Sequence, residues 1–517
     1  MQCAGLVFLL SHDIGRPPFA GPQHDSIAAV NPRMSTISSL FHLQAATPYQ
    51  APSSRSGSAV QAVAAAPSAV VKLSKDGLAA AGEAAQTPVT TAMRYKDLGA
   101  ELLAAFKTGA IKPAADAAIP DDVDNRFALG VTTASGTKVD LVLANRGDEM
   151  FVRVDADADL GEDEREALAG LAKGFQVAID GMAIDPPRIR LGELARLDPL
   201  LESIALRADV TLPGEPPQQQ SLDLQIDANR RSLAIDGPRG SLSLGIDTGK
   251  LELLGTKQQQ ARAIDTYLNG FDHAFRRGHG NTELATMFKD AFSDLSRTSN
   301  RDAIDSGMLA GERKPPSKVD RAVLTGLADF EASITEAPRQ DNPARREEVT
   351  GFHYALSQAT RMEEKEARRS LSQVQNSQLK AQFHEALNKG DLPAFDFRSE
   401  TQNYRYHEID DSASSTVSLG YKDGRLTGAR MEQSLNESER VRKYVLGRLM
   451  SDETVPDQYV LVRDLMDALA PYQPGQTGTL DTGDSRNERY QGSLDALNEE
   501  LVLLGTRLAL VDRDARL

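Results

Sequence analysis

The chain contains no tryptophan and a single cysteine, Cys3. One thiol permits no internal disulfide, no thiolate metal cluster and no CxxC redox pair. Aromatic residues make up 5% of the 517 positions, which leaves little material for the stacking platforms of a carbohydrate cleft or a base-binding groove. No apolar run approaches the ~20 residues that a membrane-spanning helix needs. The apolar stretch Ala4–Leu10 is short, has no basic segment before it, and runs into Ser11-His12-Asp13 instead of a small-residue cleavage site. The motifs GxSxG, GxxxxGK[ST] and GxGxxG are missing, so no nucleophile elbow, phosphate loop or dinucleotide fingerprint can be read.

Negative charge is missing from one region only. Between Ser26 and Lys75 there is no Asp or Glu, and Ala, Ser, Pro, Gln and Val dominate. Such a segment buries too little apolar surface to offset the entropy of ordering, and it reads as a disordered leader over 1–91. Met34 opens its most distinctive part and reads as a natural translation start. The formal net charge of -16 therefore belongs almost wholly to the body that follows. An acidic body repels phosphate backbones, which argues for a protein partner and against nucleic acid.

Apolar periodicity in the body implies an α+β fold: antiparallel β-meanders packed with helices, in two regions after the leader. The first region covers 92–298. Leu98, Leu102, Leu103 and Phe106 share a helical face. Phe127–Thr133, Lys138–Ala144 and Met150–Val154 read as a meander with Gly-containing turns. Helices are expected over Glu162–Asp180 and Leu191–Glu202, then strands at Ile204–Leu212, Leu222–Ile226, Ser232–Ile235 and Leu242–Ile246. Two helices follow, one carrying Tyr267, Phe271 and Phe275 and the other Leu284, Phe288 and Phe292.

A polar linker over 299–318 contains Pro315-Pro316 and separates the second region, 319–517, which reads as α+β to mostly α. Its expected helices are Val319–Ile334, Leu371–Leu387, Glu437–Met450, Tyr459–Ala468 and Leu494–Val511. Strands are expected around Phe352–Leu356 and at Tyr404–Ile409, Thr416–Tyr421 and Arg425–Met431, with Lys422-Asp423-Gly424 as a hairpin turn. The mixed-charge run Arg361–Arg369 reads as a solvated helix face.

Chemistry is sparse. Asp155, Asp157, Asp159, Asp163 and Glu166 fall at positions 1, 3, 5, 9 and 12 of a candidate calcium loop. The spacing resembles an EF-hand over these residues alone, with Leu160 where the turn glycine belongs. The competing reading makes Asp159 a helix cap, with Glu162 completing a capping box. Arg276-Arg277-Gly278-His279-Gly280-Asn281 is either an anion site at a helix start or a helix–turn–helix connection capped by Asn281. His384-Glu385 begins like the zinc motif HExxH, but Asn388 stands where its second histidine is required.

From Met34 the leader resembles the export signals of bacterial type III-secreted and flagellar-exported proteins. It is rich in Ser, Ala, Gln and Pro, opens on MSTISSLF, and lacks acids for forty residues. The resemblance implies export without a cleaved signal peptide and action as an effector or surface-associated protein; otherwise the chain is cytoplasmic. For the body, the favoured class is a non-enzymatic interaction protein. The alternatives are a hydrolase-like enzyme using convergent carboxylates and a calcium-binding module at 155–166. Residues Met34–Lys75 fused to a reporter should be exported only by cells with a working type III apparatus; retention in both strains rejects the export reading.

Overall fold

The computed structural model describes residues 69–73, 90–108, 119–184, 186–212, 214–250, 253–297, 317–388, 390–469, 497–498 and 501–503. Most of the leader, most of 299–318 and most of the expected C-terminal helix lie outside these residues.

Inside the expected disordered leader, Ala69–Leu73 forms a strand (β1). Alternating apolar residues form the strands of the first region: Asn125–Thr133 (β2), Lys138–Arg146 (β3), Glu149–Ala156 (β4), Leu201–Leu212 (β5), Gln218–Asp227 (β6), Arg230–Gly237 (β7) and Gly240–Asp247 (β8). The second region supplies Asp329–Glu336 (β9), Gly351–Lys365 (β10), Arg368–Ala386 (β11), Tyr404–Lys422 (β12), Arg425–Val445 (β13) and Arg448–Asp464 (β14). All fourteen lie in one antiparallel sheet, ordered β1-β4-β3-β2-β5 and then consecutively to β14. The two expected meanders thus share a sheet, because β8 pairs with β9 from Gly240↔Glu336 to Asp247↔Asp329.

One face of the sheet is apolar. A single register row runs Val154, Leu141, Leu129, Leu206, Leu224, Leu233, Leu244, Ala332 and Leu356 from β4 to β10. Helices pack on that face. Thr91–Arg94 (α1), Leu98–Lys107 (α2), Glu162–Gly170 (α3) and Ala172–Met182 (α4) belong to the β2–β4 end. Gly99 of α2 lies so close to α4 that a Cβ there would sit 2.8 Å from the Ile179 side chain and 2.9 Å from Phe175. Lys257–Arg277 (α5) and Thr282–Ser296 (α6) cover the middle. The i, i+4 stripe of α5 sets Tyr267 against Phe330, Phe271 against Tyr354, and Phe275 in a stack on Phe352 with centroids 4.6 Å apart. Lys318–Ala322 (α7) and Met466–Leu469 (α8) are short.

Beyond β9 the inward residues change character. Gln358, Gln375, Ser415 and Gln433 stand in one register row across β10 to β13, all buried. Each needs partners, since an unpaired buried amide costs about 1–3 kcal/mol. Tyr267 donates its hydroxyl to Gln375 Oε1 at 2.7 Å, and Leu503 donates its amide to the same oxygen at 2.8 Å. Gln375 Nε2 donates to the Leu501 carbonyl at 3.0 Å. Thr325 donates to Gln358 Oε1 at 2.7 Å, and Gln358 Nε2 donates to the Leu327 carbonyl at 3.1 Å.

This polar row explains the main corrections. Leu371–Leu387 is strand β11, not a helix; its inward positions include Gln373 and Gln375, which break the apolar alternation. Glu437–Met450 and Tyr459–Ala468 belong to β13 and β14, and only Met466–Leu469 of the latter is helical. Val319–Ile334 is a five-residue helix, then a turn at Gly326 with φ of 81°, then β9. Arg361–Arg369 is a hairpin tip joining β10 to β11. Tyr404–Ile409 and Thr416–Tyr421 are two parts of one strand, β12. Leu191–Glu202 is turns followed by β5. Arg188 pairs with Asp290 there, and Asp294 accepts the amides of Leu191 and Gly192, which straps the segment to α6. The Asp423-Gly424 hairpin turn is present, with both residues at positive φ.

Gln375→Ala removes the nearer of two acceptors of the Tyr267 hydroxyl, the acceptor of the Leu503 amide and one of two donors to the Leu501 carbonyl at once. It should lower stability by about 3 kcal/mol, read as a lower urea midpoint at unchanged m-value.

Candidate functional site

A group of titratable side chains lies where the C-terminal end of α5 meets β11 to β13. Residues 278–280 turn the chain from α5 into α6, with His279 at φ of 55°. Glycine is required beside it: a Cβ on Gly278 would come within 2.7 Å of Phe352, and one on Gly280 within 2.4 Å of Phe275. The turn lays the His279 ring on Phe383, parallel and 3.9 Å away, and His407 stacks on the same phenyl ring at 4.8 Å.

His407 donates Nδ1–H to Glu439 at 2.7 Å, while its Nε2 faces Glu385 at 3.4 Å. Arg277 forms a two-point pair with Asp411 and reaches Glu439 at 3.5 Å. The hydrogen bond from His407 holds the Glu439 carboxyl below its ordinary range. Burial pushes His273 and His279 down, assisted at His273 by Arg276 and Arg277. Together His273, Arg276, Arg277, His279, Phe383, Glu385, His407, Ile409 and Glu439 line an open recess of about 420 Å³. Its lining supplies no hydroxyl or thiol, and carboxylates face both imidazole nitrogens of His407. The arrangement orients an imidazole between two carboxylates and fastens α5 to the sheet.

The calcium-loop residues are placed separately. Asp155 closes β4 and pairs with Arg153 at 2.9 Å, and Asp157 accepts the Lys138 amide at 2.8 Å. Asp159 precedes α3 and Asp163 sits in its first turn. Glu166 lies further along α3 and pairs with Lys107 at 2.8 Å. Among the described residues no three His, Cys, Asp or Glu side chains are grouped to hold a metal. The helix cap lies two residues later than the sequence implies: Gly161 is the N-cap, and Glu164 accepts its amide at 2.9 Å. Asn281 does cap α6, accepting the amides of Glu283 and Leu284. The anion at that helix start comes from the protein itself, because the Asn281 amide donates to the carboxylate of Glu336.

His384 and Glu385 point to opposite faces because they lie on a strand, not a helix. Glu385 faces the recess. His384 is buried on the other face, where Nε2 meets Glu348 at 3.2 Å. Tyr404 donates to the same carboxylate at 2.7 Å. Burial pushes Glu348 up, but hydrogen bonds from His384, Tyr404 and Tyr444 overcome this and leave the carboxyl below its ordinary value. This knot fixes the segment between β9 and β10 against the sheet.

A second surface was not anticipated, because both ends of its strand read as helix, at Glu437–Met450 and Tyr459–Ala468. Among the described residues β14 ends the strand order, with β13 as its only partner in the sheet. Val460 and Val462 are 64% and 49% exposed, and Leu449, Met450 and Val455 are exposed as well. Leu465 donates its amide to Ala429 of β13, in continuation of the Arg430↔Asp464 register. Odd-numbered residues here thus turn their backbone toward β13, and even-numbered ones turn it outward. Pro456 is even, so its missing N–H falls on the open side, where a proline is tolerated. The run Gln458-Tyr459-Val460-Leu461-Val462 that follows is rich in strand-forming residues.

Comparison with protein-family models, curated proteins and solved structures finds no match to this chain.

Glu348→Ala should cost about 3–5 kcal/mol, as expected when a buried charged network loses one member. A carboxyl with a depressed folded pKa contributes stability that is complete at neutral pH and lost as pH falls through that value. The wild-type protein should therefore lose more stability than the variant on acidification below about pH 4, measured by denaturant unfolding across pH.

Proposed function

We propose that this chain is a non-enzymatic interaction protein that takes up an extended protein segment by antiparallel strand addition along β14. The observation that carries this is that, among the described residues, no strand pairs with the outer side of β14. β14 is 17 residues long, is hydrogen-bonded within the sheet on one side, and is exposed over most of its length. A row of unpaired backbone donors and acceptors is a template for another strand. In this mode main-chain bonds supply affinity, and alternate side chains supply selectivity. Val460 and Val462, whose backbone groups turn toward the outer edge, would offer apolar contacts on one face of the added strand.

The recess around His407 supports the same class. Its charges pair with one another and tie α5 to β12 and β13, which gives the sheet a fixed frame from which to present an edge. The acid-poor leader adds export to the proposal as an independent element.

Displayed libraries of random ten-residue peptides should yield binders with apolar residues at alternate positions. Val460→Pro deletes one outward amide without touching the bonds to β13, and should weaken such peptides at least tenfold. Equal binding to the wild-type protein and the variant would overturn strand addition at this edge.

A further inference from the structure

We infer that the tip of the β13–β14 hairpin, with the loop beside it, docks on an anionic lipid bilayer. Leu446, Leu449 and Met450 enter the boundary between headgroups and acyl chains, and Lys443 and Arg448 meet the lipid phosphates. The inference stands apart from strand addition, because it uses the hairpin tip and needs no open edge.

The tip breaks a local rule. Two-residue hairpin turns with both φ values positive favour Asn or Asp before Gly. The Asp423-Gly424 turn of the same sheet obeys, with φ of 51° and 76°. At Leu446-Gly447 the φ values are 47° and 74°, but a leucine holds the first position and is 55% exposed. A left-handed leucine with its side chain in water weakens the fold through backbone strain and again through apolar exposure. Such departures from local preference are expected where a residue serves a function. Leu449 and Met450 follow, both exposed. The register passes from Tyr444↔Leu449 to Lys443↔Ser451, so Met450 is the extra residue of a bulge and faces no partner on β13.

The tip is fastened to the loop beside it. Leu446 donates its amide to Asn403 Oδ1 at 2.9 Å, and Gly447 donates to the Gln402 carbonyl at 3.0 Å. Arg345 donates to the Gly447 carbonyl at 2.9 Å and lies over the Tyr444 ring. Gln402 in turn donates to the Asp396 carbonyl at 2.8 Å, and the next residue, Phe397, is 77% exposed. One hydrogen-bonded base thus presents apolar side chains from two segments at the same end of the sheet.

Charge selects the occupant. From Arg440 to Ser451 the chain has four basic residues and no acidic one, although its net charge is -16. Arg440 pairs with Asp452 and Glu408, and Arg442 with Glu408 and Glu348. Among the described residues Lys443 and Arg448 have no acidic partner. On the loop, Asp396 beside Phe397 is already held by Arg398. Apolar side chains set among free cations match an anionic bilayer, where apolar groups enter and Lys or Arg stay at the phosphates. The acids of the rest of the body are screened beyond about 8 Å at physiological ionic strength. A nucleic acid would use the cations and leave the leucines and the methionine in water.

The test is co-flotation of the full chain with lipid vesicles, which separates bound protein from aggregate. Phosphatidylcholine vesicles containing about 30% phosphatidylserine should bind the protein at least tenfold better than phosphatidylcholine alone. Arg448→Gln should weaken binding to the anionic vesicles about fivefold. Leu446→Asn should weaken it about tenfold and raise the urea midpoint, since Asn tolerates the left-handed region. Binding lost while stability is gained separates a lipid contact from a structural role. Met450→Gln, at the bulge, should also weaken binding about tenfold and replaces Leu446→Asn if that variant misfolds. No flotation with anionic vesicles, equal binding to both vesicle types, or undiminished binding by either folded variant each overturns the proposal.

Discussion

Everything in this fold depends on one unbroken antiparallel register. From β2 to β14 each strand is placed by backbone hydrogen bonds to its neighbour, and the side-chain period of two then decides which residues meet the helices. A slip of one residue in any strand would turn its inward set out to solvent. In β2 to β9 the slip is opposed by apolar rows such as Leu129, Leu206, Leu224, Leu233 and Leu244. In β10 to β13 it is opposed by the glutamine row, whose amides find partners in only one alignment. Leucines define a register by burial, and glutamines define it by direction as well.

The helices read this register and return constraints of their own. Tyr267 of α5 buries its ring among phenylalanines and still delivers its hydroxyl to Gln375. Arg277, the last residue of α5, is the right charge for a C-terminus and finds Asp411 and Glu439 on the strands beneath. At the start of α6, Asn281 caps two amides with its side chain and offers its own amide to Glu336. The helix pair is thus tied at its turn to β9, β12 and β13, not only greased against the sheet.

The first region was legible because its strands are short, apolar at alternate positions and separated by glycine turns. The three meander strands 127–133, 138–144 and 150–154 and the two long helices are found close to where periodicity puts them. The second region was not, for physical reasons that can be named. Gln373, Gln375 and Gln433 occupy inward positions, so hydrophobicity does not alternate where the backbone does. Toward the β13–β14 turn both faces carry charge, as in Arg440 between Glu408 and Asp452. Glu, Arg, Leu and Met there are good helix formers, and the sheet overrides that weak preference. The recess was missed for the same reason. Phe383 and Glu385 share a face only on a strand, and His407 meets them across strands. Leu446-Gly447, the second turn with two positive φ values, was the local clue to a hairpin.

The β8–β9 seam has a practical meaning for how this chain can be divided. The polar stretch between α6 and α7 looks like the place to cut, yet the sheet crosses it without interruption. A fragment ending there would carry an open β8 edge and the aromatic side of α5 stripped of Phe330, Phe352 and Tyr354. Its complement would carry the matching bare edge. Truncation at this point makes two adhesive halves from one chain. A nick at the same point leaves both pieces holding each other, so that an intact backbone and an intact molecule are separate properties of this protein.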